Sequence, residues 1–255
     1  CHDAMTAMAW SRVFGSKPVV RSAWAMMGSP FVAEVLASLP YDAVTIDCQH
    51  GATAQFNVTD MLAAITRQQG KVPLVRLPSL SPSVVGHVLD AGAQGVICPL
   101  VNTPAEAEEL VRACLYPPLG SRSFGPFRSS LMQDWDFNNS NEGTVKLAMI
   151  ETRQGLDNVR DIVRTPGLDG LFVGPFDLGI GLGRPLGDMN DPELREAIQL
   201  VRATAHDAGA KAGVFCRDGH FAAEMIELGF DLVVPGSDMG VLLDAASRSL
   251  VDCQI

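Results

Sequence analysis

The sequence predicts a (β/α)8 barrel with one extra helix at its N-terminus, forming a single domain over residues 1–255. Short apolar segments alternate with longer segments of helical periodicity, and eight such pairs follow one another. The apolar segments do not alternate with polar residues, which is typical of parallel strands buried on both faces. The length of 255 residues is close to that of one barrel domain. An open, doubly wound sheet is the alternative fold.

The N-terminal helix is predicted over residues 4–15. The eight strands are predicted at residues 19–26, 43–47, 73–77, 95–100, 147–151, 170–174, 212–216 and 231–235. The helices that follow them are predicted at residues 30–39, 57–69, 82–91, 104–114, 155–165, 192–208, 218–228 and 239–251.

Helix boundaries support these assignments. Gly92, Gly209 and Gly229 stand where a helix should end before the next strand. Thr103 and Asp191 are each followed by proline, as expected for an N-cap and the first helical position. The segment 115–146 is too long for an ordinary loop, and we expect it to pack on the barrel or on a neighbouring subunit.

Composition excludes several classes of protein. Apolar residues make up 47% of the chain and charged residues 19%, which favours a large buried core over disorder. The net charge of -10 and the absence of a basic cluster argue against a nucleic-acid partner. No apolar run approaches the length of a membrane span, and no signal peptide is recognisable. The six cysteines are scattered without a CxxC pair, which indicates a reducing, cytoplasmic location.

Ionisable residues stand at the ends of the predicted strands, where barrel enzymes carry their active sites. Asp47 and His50 follow the second strand, Arg76 ends the third, Glu151 ends the fifth and Asp177 follows the sixth. Charged side chains are rarely buried without partners. Their convergence on one rim therefore predicts a polar site at this end of the barrel.

Glu151 and Asp177 come from adjacent strands, and two carboxylates with open positions suit Mg2+ or Mn2+. Co2+, Ni2+ or Zn2+ are also acceptable to oxygen ligands. The competing interpretation is that these carboxylates pair with Arg76 or Arg153, or cap a helix. Arg76 offers a planar cation to a carboxylate or a developing enolate oxygen.

His50 is a candidate general base, and Asp47 could orient its ring or hold its proton. The alternative is an ordinary hydrogen-bonded histidine at the rim. The run Gly174-Pro175-Phe176-Asp177 permits close approach of a ligand to the main chain, and the N–H groups of Phe176 and Asp177 could hold a substrate carboxylate.

These motifs together resemble the HpcH/HpaI aldolases, the class II pyruvate aldolases, from about residue 24 to 250. The resemblance rests on Ile46-Asp47-Cys48-Gln49-His50, Val75-Arg76, Leu89-Asp90-Ala91-Gly92-Ala93, Tyr116-Pro117-Pro118-Leu119-Gly120-Ser121-Arg122, Ile150-Glu151-Thr152-Arg153 and Val173-Gly174-Pro175-Phe176-Asp177-Leu178.

The resemblance implies that Glu151 and Asp177 bind a divalent metal ion, which pyruvate chelates. It implies Arg76 on the keto or enolate oxygen, and His50 with Asp47 as the acid–base group, assisted by Asp90. It also implies a homo-trimer or homo-hexamer with exchanged C-terminal helices, and a subunit contact near the segment around Arg122.

The chain departs from the family pattern at two positions. Gln49 stands where many members have glutamate, and we assign it to substrate binding. Met149 stands where the family often has glutamine, which predicts a more apolar pocket.

The predicted function is therefore that of a metal-dependent aldolase. It makes or cleaves the C3–C4 bond of 4-hydroxy-2-oxo acids, giving pyruvate or a related 2-oxo acid and an aldehyde through an enolate. Lys146 stands at the start of its strand, away from the site, so no Schiff-base lysine is expected. No nucleotide cofactor is expected either. The alternatives are an oxaloacetate decarboxylase, a lyase acting on a CoA thioester, and a non-catalytic 2-oxo-acid-binding protein.

Overall fold

A closed barrel of eight parallel strands forms the centre of the molecule, which confirms the predicted fold. The computed structural model describes residues 9–52, 57–132 and 135–253. The strands are β1 (Val20–Ala25), β2 (Ala43–Asp47), β3 (Val72–Arg76), β4 (Gly95–Cys98), β5 (Val145–Ile150), β6 (Gly170–Val173), β7 (Lys211–Cys216) and β8 (Leu232–Pro235).

Helices surround the barrel and connect consecutive strands. They are α1 (residues 9–14), α2 (Pro30–Ser38), α3 (Val58–Thr66), α4 (Pro82–Asp90), α5 (Pro104–Cys114), α6 (Phe137–Ser140), α7 (Arg153–Asp157), α8 (Val159–Ile162), α9 (Pro175–Gly181), α10 (Pro192–Asp207), α11 (Gly219–Glu227) and α12 (Asp238–Asp252). The part of the predicted N-terminal helix before residue 9 lies outside the described residues.

One helical prediction differs from the structure, and two short helices, α6 and α9, were not predicted. The single helix expected over residues 155–165 was wrong, because the chain leaves helical geometry at Asn158 and forms α7 and α8. The amide of Asn158 donates a hydrogen bond to the carbonyl of Asn102 at 2.8 Å, which holds the break in place. The short helix α9 was not predicted, since its glycines favour a loop.

Apolar side chains fill the structure in two layers. One cluster lies inside the barrel and includes Trp24, Leu147 and Phe172, with Trp10 and Phe14 of α1 packed against it. The second and larger cluster lies between the strands and the surrounding helices. The strands are therefore buried on both faces, as their unbroken apolar sequences predict.

An aspartate immediately precedes each of three strands. Its carboxylate accepts a main-chain hydrogen bond from the start of the neighbouring strand that comes earlier in the chain. The positions are Asp42 before β2, Asp169 before β6 and Asp231 before β8. The main-chain N–H donors are those of Arg21, Lys146 and Ala212, and the paired lysines are Lys17, Lys146 and Lys211. We call this arrangement the aspartate latch. It ties neighbouring strands together at the N-terminal end of the barrel.

In the part of the chain that is described, no helix has both the length and the apolar character needed to span a bilayer.

Candidate active site

A cavity of about 220 Å3 opens at the C-terminal ends of the strands. Its walls combine four of the five ionisable residues expected there with aromatic and sulfur-containing side chains, and the fifth, Glu151, is not among the lining residues. The lining residues are Trp24, Met26, Asp47, His50, Arg76, Met149, Gly174, Pro175, Phe176, Asp177 and Phe215. The strand ends place them together, because consecutive parallel strands end at the same rim.

Asp47 and Arg76 form a buried ion pair at the base of this cavity. The guanidinium donates two hydrogen bonds to the carboxylate, one of them from Nε to Oδ1 at 2.9 Å. Trp24 donates its indole N–H to Oδ2 at 3.2 Å, and its ring lies 4.9 Å from the Arg76 guanidinium carbon. Burial alone would raise the pKa of Asp47, but the hydrogen bond and charge of Arg76 outweigh it and lower the pKa.

The carboxylate of Asp47 also binds the loop that follows β2. Its Oδ1 accepts the main-chain N–H groups of Gln49 at 3.0 Å and of His50 at 3.1 Å. The expected bond between Asp47 and the His50 ring is therefore absent from the described residues, because Arg76 and main-chain groups already use the carboxylate oxygens. His50 is exposed at the cavity wall, and Asp47 positions it through the main chain.

Glu151 lies at the end of β5 with only 2% of its surface exposed. Its Oε1 accepts the main-chain N–H of Leu100 at 2.8 Å. The pKa of Glu151 is raised to about 7, chiefly by burial and also by the nearby charge of Asp177, which together outweigh the lowering effects of the Leu100 N–H and of Arg76. Ionisation of Glu151 is therefore unfavourable unless a positive charge compensates it.

Gly174 brings the main chain of β6 against the Glu151 carboxylate. A Cβ at this position would lie 2.7 Å from Oε2 of Glu151 and 2.6 Å from the methyl of Met149. A larger residue would therefore force these two side chains to move, and the absence of a side chain at Gly174 leaves room for the carboxylate beside the cavity.

The two carboxylates fit a divalent cation. Asp177 is exposed in the cavity and makes no hydrogen bond or ion pair with the described residues. Oε2 of Glu151 likewise accepts no hydrogen bond from them. No cluster of three or more histidine, cysteine, aspartate or glutamate side chains with metal-binding geometry occurs in the described ranges. A cation here would thus have two protein ligands and open positions for water and substrate.

The two residues that depart from the family pattern occupy different places. Met149 lines the cavity, as expected for a more apolar pocket. Gln49 is half-buried in the loop after β2, outside the cavity lining, and its Oε1 has no hydrogen-bond partner in the described structure. Residues 53–56 of the same loop lie outside the described residues.

Asp90 is not brought to His50 within the chain. It ends α4 at the N-terminal end of the barrel, opposite the cavity, and accepts a hydrogen bond from Arg122 at 2.6 Å. The guanidinium of Arg122 also lies 4.5 Å from the Tyr116 ring centroid. The long segment 115–146 connects α5 to the start of β5, so its described part lies at that same opposite end.

Four residues of the site, Trp24, Met26, Phe215 and Leu100, were not predicted from the sequence. Trp24 and Phe215 lie on the inner face of β1 and β7, and residue alternation counted along these strands would have placed them in the barrel. Leu100 contributes its main-chain N–H, a group that nearly every residue has, so the residue type gives no signal of this role.

Comparison with known proteins identifies the family. The family model described as HpcH/HpaI aldolase/citrate lyase matches residues 22–245. A hydroxypyruvate/pyruvate aldolase of Rhizorhabdus wittichii is 43% identical, covering 91% of this chain and 92% of its own. A 5-keto-4-deoxy-D-glucarate aldolase of Escherichia coli is 34% identical, covering 91% of each chain.

The fold comparison gives the same result. The crystal structure of an HpcH/HpaI aldolase/citrate lyase family protein from Burkholderia cenocepacia has a TM-score of 0.89 and 30% identity, covering 99% of this chain and 100% of the other. The family and these relatives indicate a carbon–carbon lyase, as the sequence predicts. The chain belongs to the HpcH/HpaI aldolase/citrate lyase family.

Proposed function

We propose that the protein is a divalent-metal-dependent aldolase that cleaves or forms the C3–C4 bond of 4-hydroxy-2-oxo acids. The observation that carries this proposal is the pair of carboxylates Glu151 and Asp177. Asp177 lines the cavity together with Arg76, and Glu151 lies beside it against Gly174. The released 2-oxo acid is pyruvate or hydroxypyruvate, in agreement with the name of the Rhizorhabdus wittichii relative.

Glu151 and Asp177 would hold the cation, which supplies Lewis-acid polarisation of the 2-oxo acid and stabilises negative charge on its enolate. The side chains of the protein have separate tasks. Arg76, held rigid by Asp47 and Trp24, directs its guanidinium at the same developing charge. His50 at the wall accepts the proton of the C4 hydroxyl in the cleavage direction and returns it in the synthetic direction.

The decisive experiment measures pyruvate release from a racemic 4-hydroxy-2-oxo acid by chelator-treated protein. We expect no release without metal, and restoration by Mn2+ or Mg2+. Release that persists after chelation, or its absence with every divalent ion while pyruvate still binds, contradicts the aldolase proposal. The second result would favour decarboxylation or binding alone.

The affinity for Mn2+ should depend on pH through Glu151. Because its pKa is raised to about 7, protons compete with the metal below neutrality. We expect about tenfold weaker binding at pH 6 than at pH 8, measured by calorimetry in matched buffers. An affinity that stays constant down to pH 5 would show that Glu151 is not the competing group.

Replacement of Gly174 by alanine should displace the Glu151 carboxylate. The added Cβ would contact Oε2 of Glu151 and the Met149 methyl well inside van der Waals distance. We expect Mn2+ affinity to fall about tenfold or more, at a destabilising cost of about 1–3 kcal/mol. Gly86→Ala is the control, because an added Cβ there meets open space within α4, and it should leave affinity unchanged. Gly183 is unsuitable for this purpose because its φ is positive.

We propose that the enzyme is a homo-trimer or homo-hexamer in which α12 packs on a second copy. In the protomer only Asp238 of this 15-residue helix is buried. Its exposed apolar side chains are Met239, Val241, Leu242, Leu243, Leu250 and Val251. Such an apolar face is typical of a protein interface.

The variant Leu242→Glu/Val251→Glu should reduce the molecular mass in solution, measured by light scattering after size-exclusion chromatography, to that of a smaller assembly. The exposed substitution Arg248→Gln serves as control and should leave the mass unchanged. A wild-type protein that is monomeric at all concentrations would contradict the proposed assembly.

A further inference from the structure

We infer that the main chain of Leu100, held in an unfavourable conformation by Asn102, positions the Glu151 carboxylate for the cation. Leu100 is a positioning residue, since it acts through Glu151. This inference rests on the proposed function, because it concerns the same metal centre.

Leu100 lies between β4 and α5 with a φ of 55°. In the described ranges it is the one residue other than glycine with positive φ. A leucine in this region is disfavoured by contact between its Cβ and the main chain. Its side chain is 51% exposed, so packing of that side chain does not compensate for the conformation. Strain of this kind is retained where surrounding contacts enforce it.

The conformation aims the Leu100 N–H at Glu151. The donated hydrogen bond, 2.8 Å long, occupies Oε1 and fixes the rotation of the carboxylate. Oε2 then faces Gly174, which lines the cavity, and it accepts no hydrogen bond within the described structure. One carboxylate oxygen is thus anchored and the other is presented to the cation.

Asn102, two residues further along the same loop, binds the carbonyl of Leu100. Its amide nitrogen donates to the Leu100 carbonyl at 2.8 Å, and its amide oxygen accepts the hydroxyl of Thr152. Thr152 is the neighbour of Glu151 and also caps α7 by accepting the N–H of Gly155 at 2.9 Å. The loop is therefore joined to the end of β5 at Met149 through the Val101 N–H, at Glu151 through the Leu100 N–H, and at Thr152 through Asn102.

Gly155 shows how closely these elements approach each other. A Cβ there would lie 2.8 Å from the Val101 carbonyl and 3.5 Å from the amide oxygen of Asn102. The main chain of the loop between β4 and α5 is thus pressed against the start of α7. This contact leaves Leu100 little freedom to relax to a negative φ.

The test measures Mn2+ affinity by calorimetry and thermal unfolding for a set of variants of the full-length protein. Leu100→Gly is the matched control, since glycine adopts positive φ freely and keeps the N–H, and it should bind within about twofold of wild type. Leu100→Ile should bind about tenfold more weakly, because a branched side chain resists this conformation. Asn102→Ala should weaken binding about three- to tenfold.

The double variant Leu100→Ile/Asn102→Ala provides a further constraint. Both substitutions release the same peptide group, so their effects on Mn2+ affinity should be clearly less than additive. If Leu100→Ile and Asn102→Ala lower the unfolding temperature but keep wild-type Mn2+ affinity, the loop is merely structural and the inference is overturned. Failure of the wild-type protein to bind Mn2+ would instead overturn the proposed function itself, and this inference with it.

Discussion

Replacement of Glu151 by glutamine should reduce aldolase turnover about a thousandfold and abolish Mn2+ binding at millimolar concentration. Glutamine has nearly the same shape, and its amide oxygen still accepts the Leu100 N–H. It removes the charge on which cation binding depends, together with several kcal/mol of transition-state stabilisation. The measurement compares steady-state rates and Mn2+ affinity of the two proteins.

The same substitution should make the metal-free protein more stable at pH 8. The pKa of Glu151 is raised from an ordinary value of 4.5 to about 7, so the folded state disfavours the ionised form. Its contribution to stability is complete below pH 4.5 and is lost as pH rises through 7. At pH 8 ionisation of Glu151 therefore costs roughly 3 kcal/mol, which glutamine would largely recover. At pH 4.5 the two proteins should unfold at similar temperatures.

Glu108→Gln is the matched control, since Glu108 is exposed on α5, and it should change neither stability nor turnover. A Glu151→Gln variant that turns over at the wild-type rate would remove Glu151 from the metal centre. A variant that loses turnover but unfolds at a lower temperature at pH 8 would show that the ionised carboxylate stabilises the fold.

Replacement of Arg76 by alanine should have two large effects with separable causes. Asp47, whose side chain is 1% exposed, would remain buried without its ion-pair partner, which costs about 3–5 kcal/mol of stability. Turnover should fall about a hundred- to a thousandfold, because a fixed donor to the enolate oxygen is lost. Thermal unfolding and steady-state kinetics of the purified variant measure the two effects.

Two further variants separate stability from catalysis. Arg76→Lys keeps the positive charge but cannot donate the paired hydrogen bonds, so it should recover part of the stability and little turnover. Asp47→Asn/Arg76→Met removes both buried charges and should recover stability without recovering activity. Substantial activity in this double variant would exclude Arg76 from the reaction and leave it a purely structural role.

Much of this architecture could be predicted from the sequence, because hydrophobic periodicity and helix caps are local signals. They located all eight strands to within a few residues, and thereby placed Asp47, Arg76 and Glu151 at one rim. The expected convergence of Asp177 on the same cavity also agrees with the structure. Whether these residues act as proposed depends on the experiments described above.

Other features depend on which of several available groups a side chain binds, or on how the chain folds around it, and local sequence patterns do not reveal either. His50 follows Asp47 by three residues, yet the carboxylate binds Arg76 and main-chain N–H groups. Asp90 belongs to a recognisable motif, but within one chain the end of α4 carries it away from the cavity. The role of Leu100 depends on a dihedral angle, which its side-chain type would not suggest.

The three aspartates of the aspartate latch fix the alignment of strands at the N-terminal end of the barrel, and the loops at the C-terminal end do not share this task. The register of β1 with β2, β5 with β6 and β7 with β8 is secured where these strands begin, by Asp42, Asp169 and Asp231. The loops at the opposite rim are therefore not needed to align these strand pairs. To alter the aldehyde preference, the loop after β7 and the loop that follows α9 can therefore be varied in length as well as in sequence, because the strands are aligned at the other end.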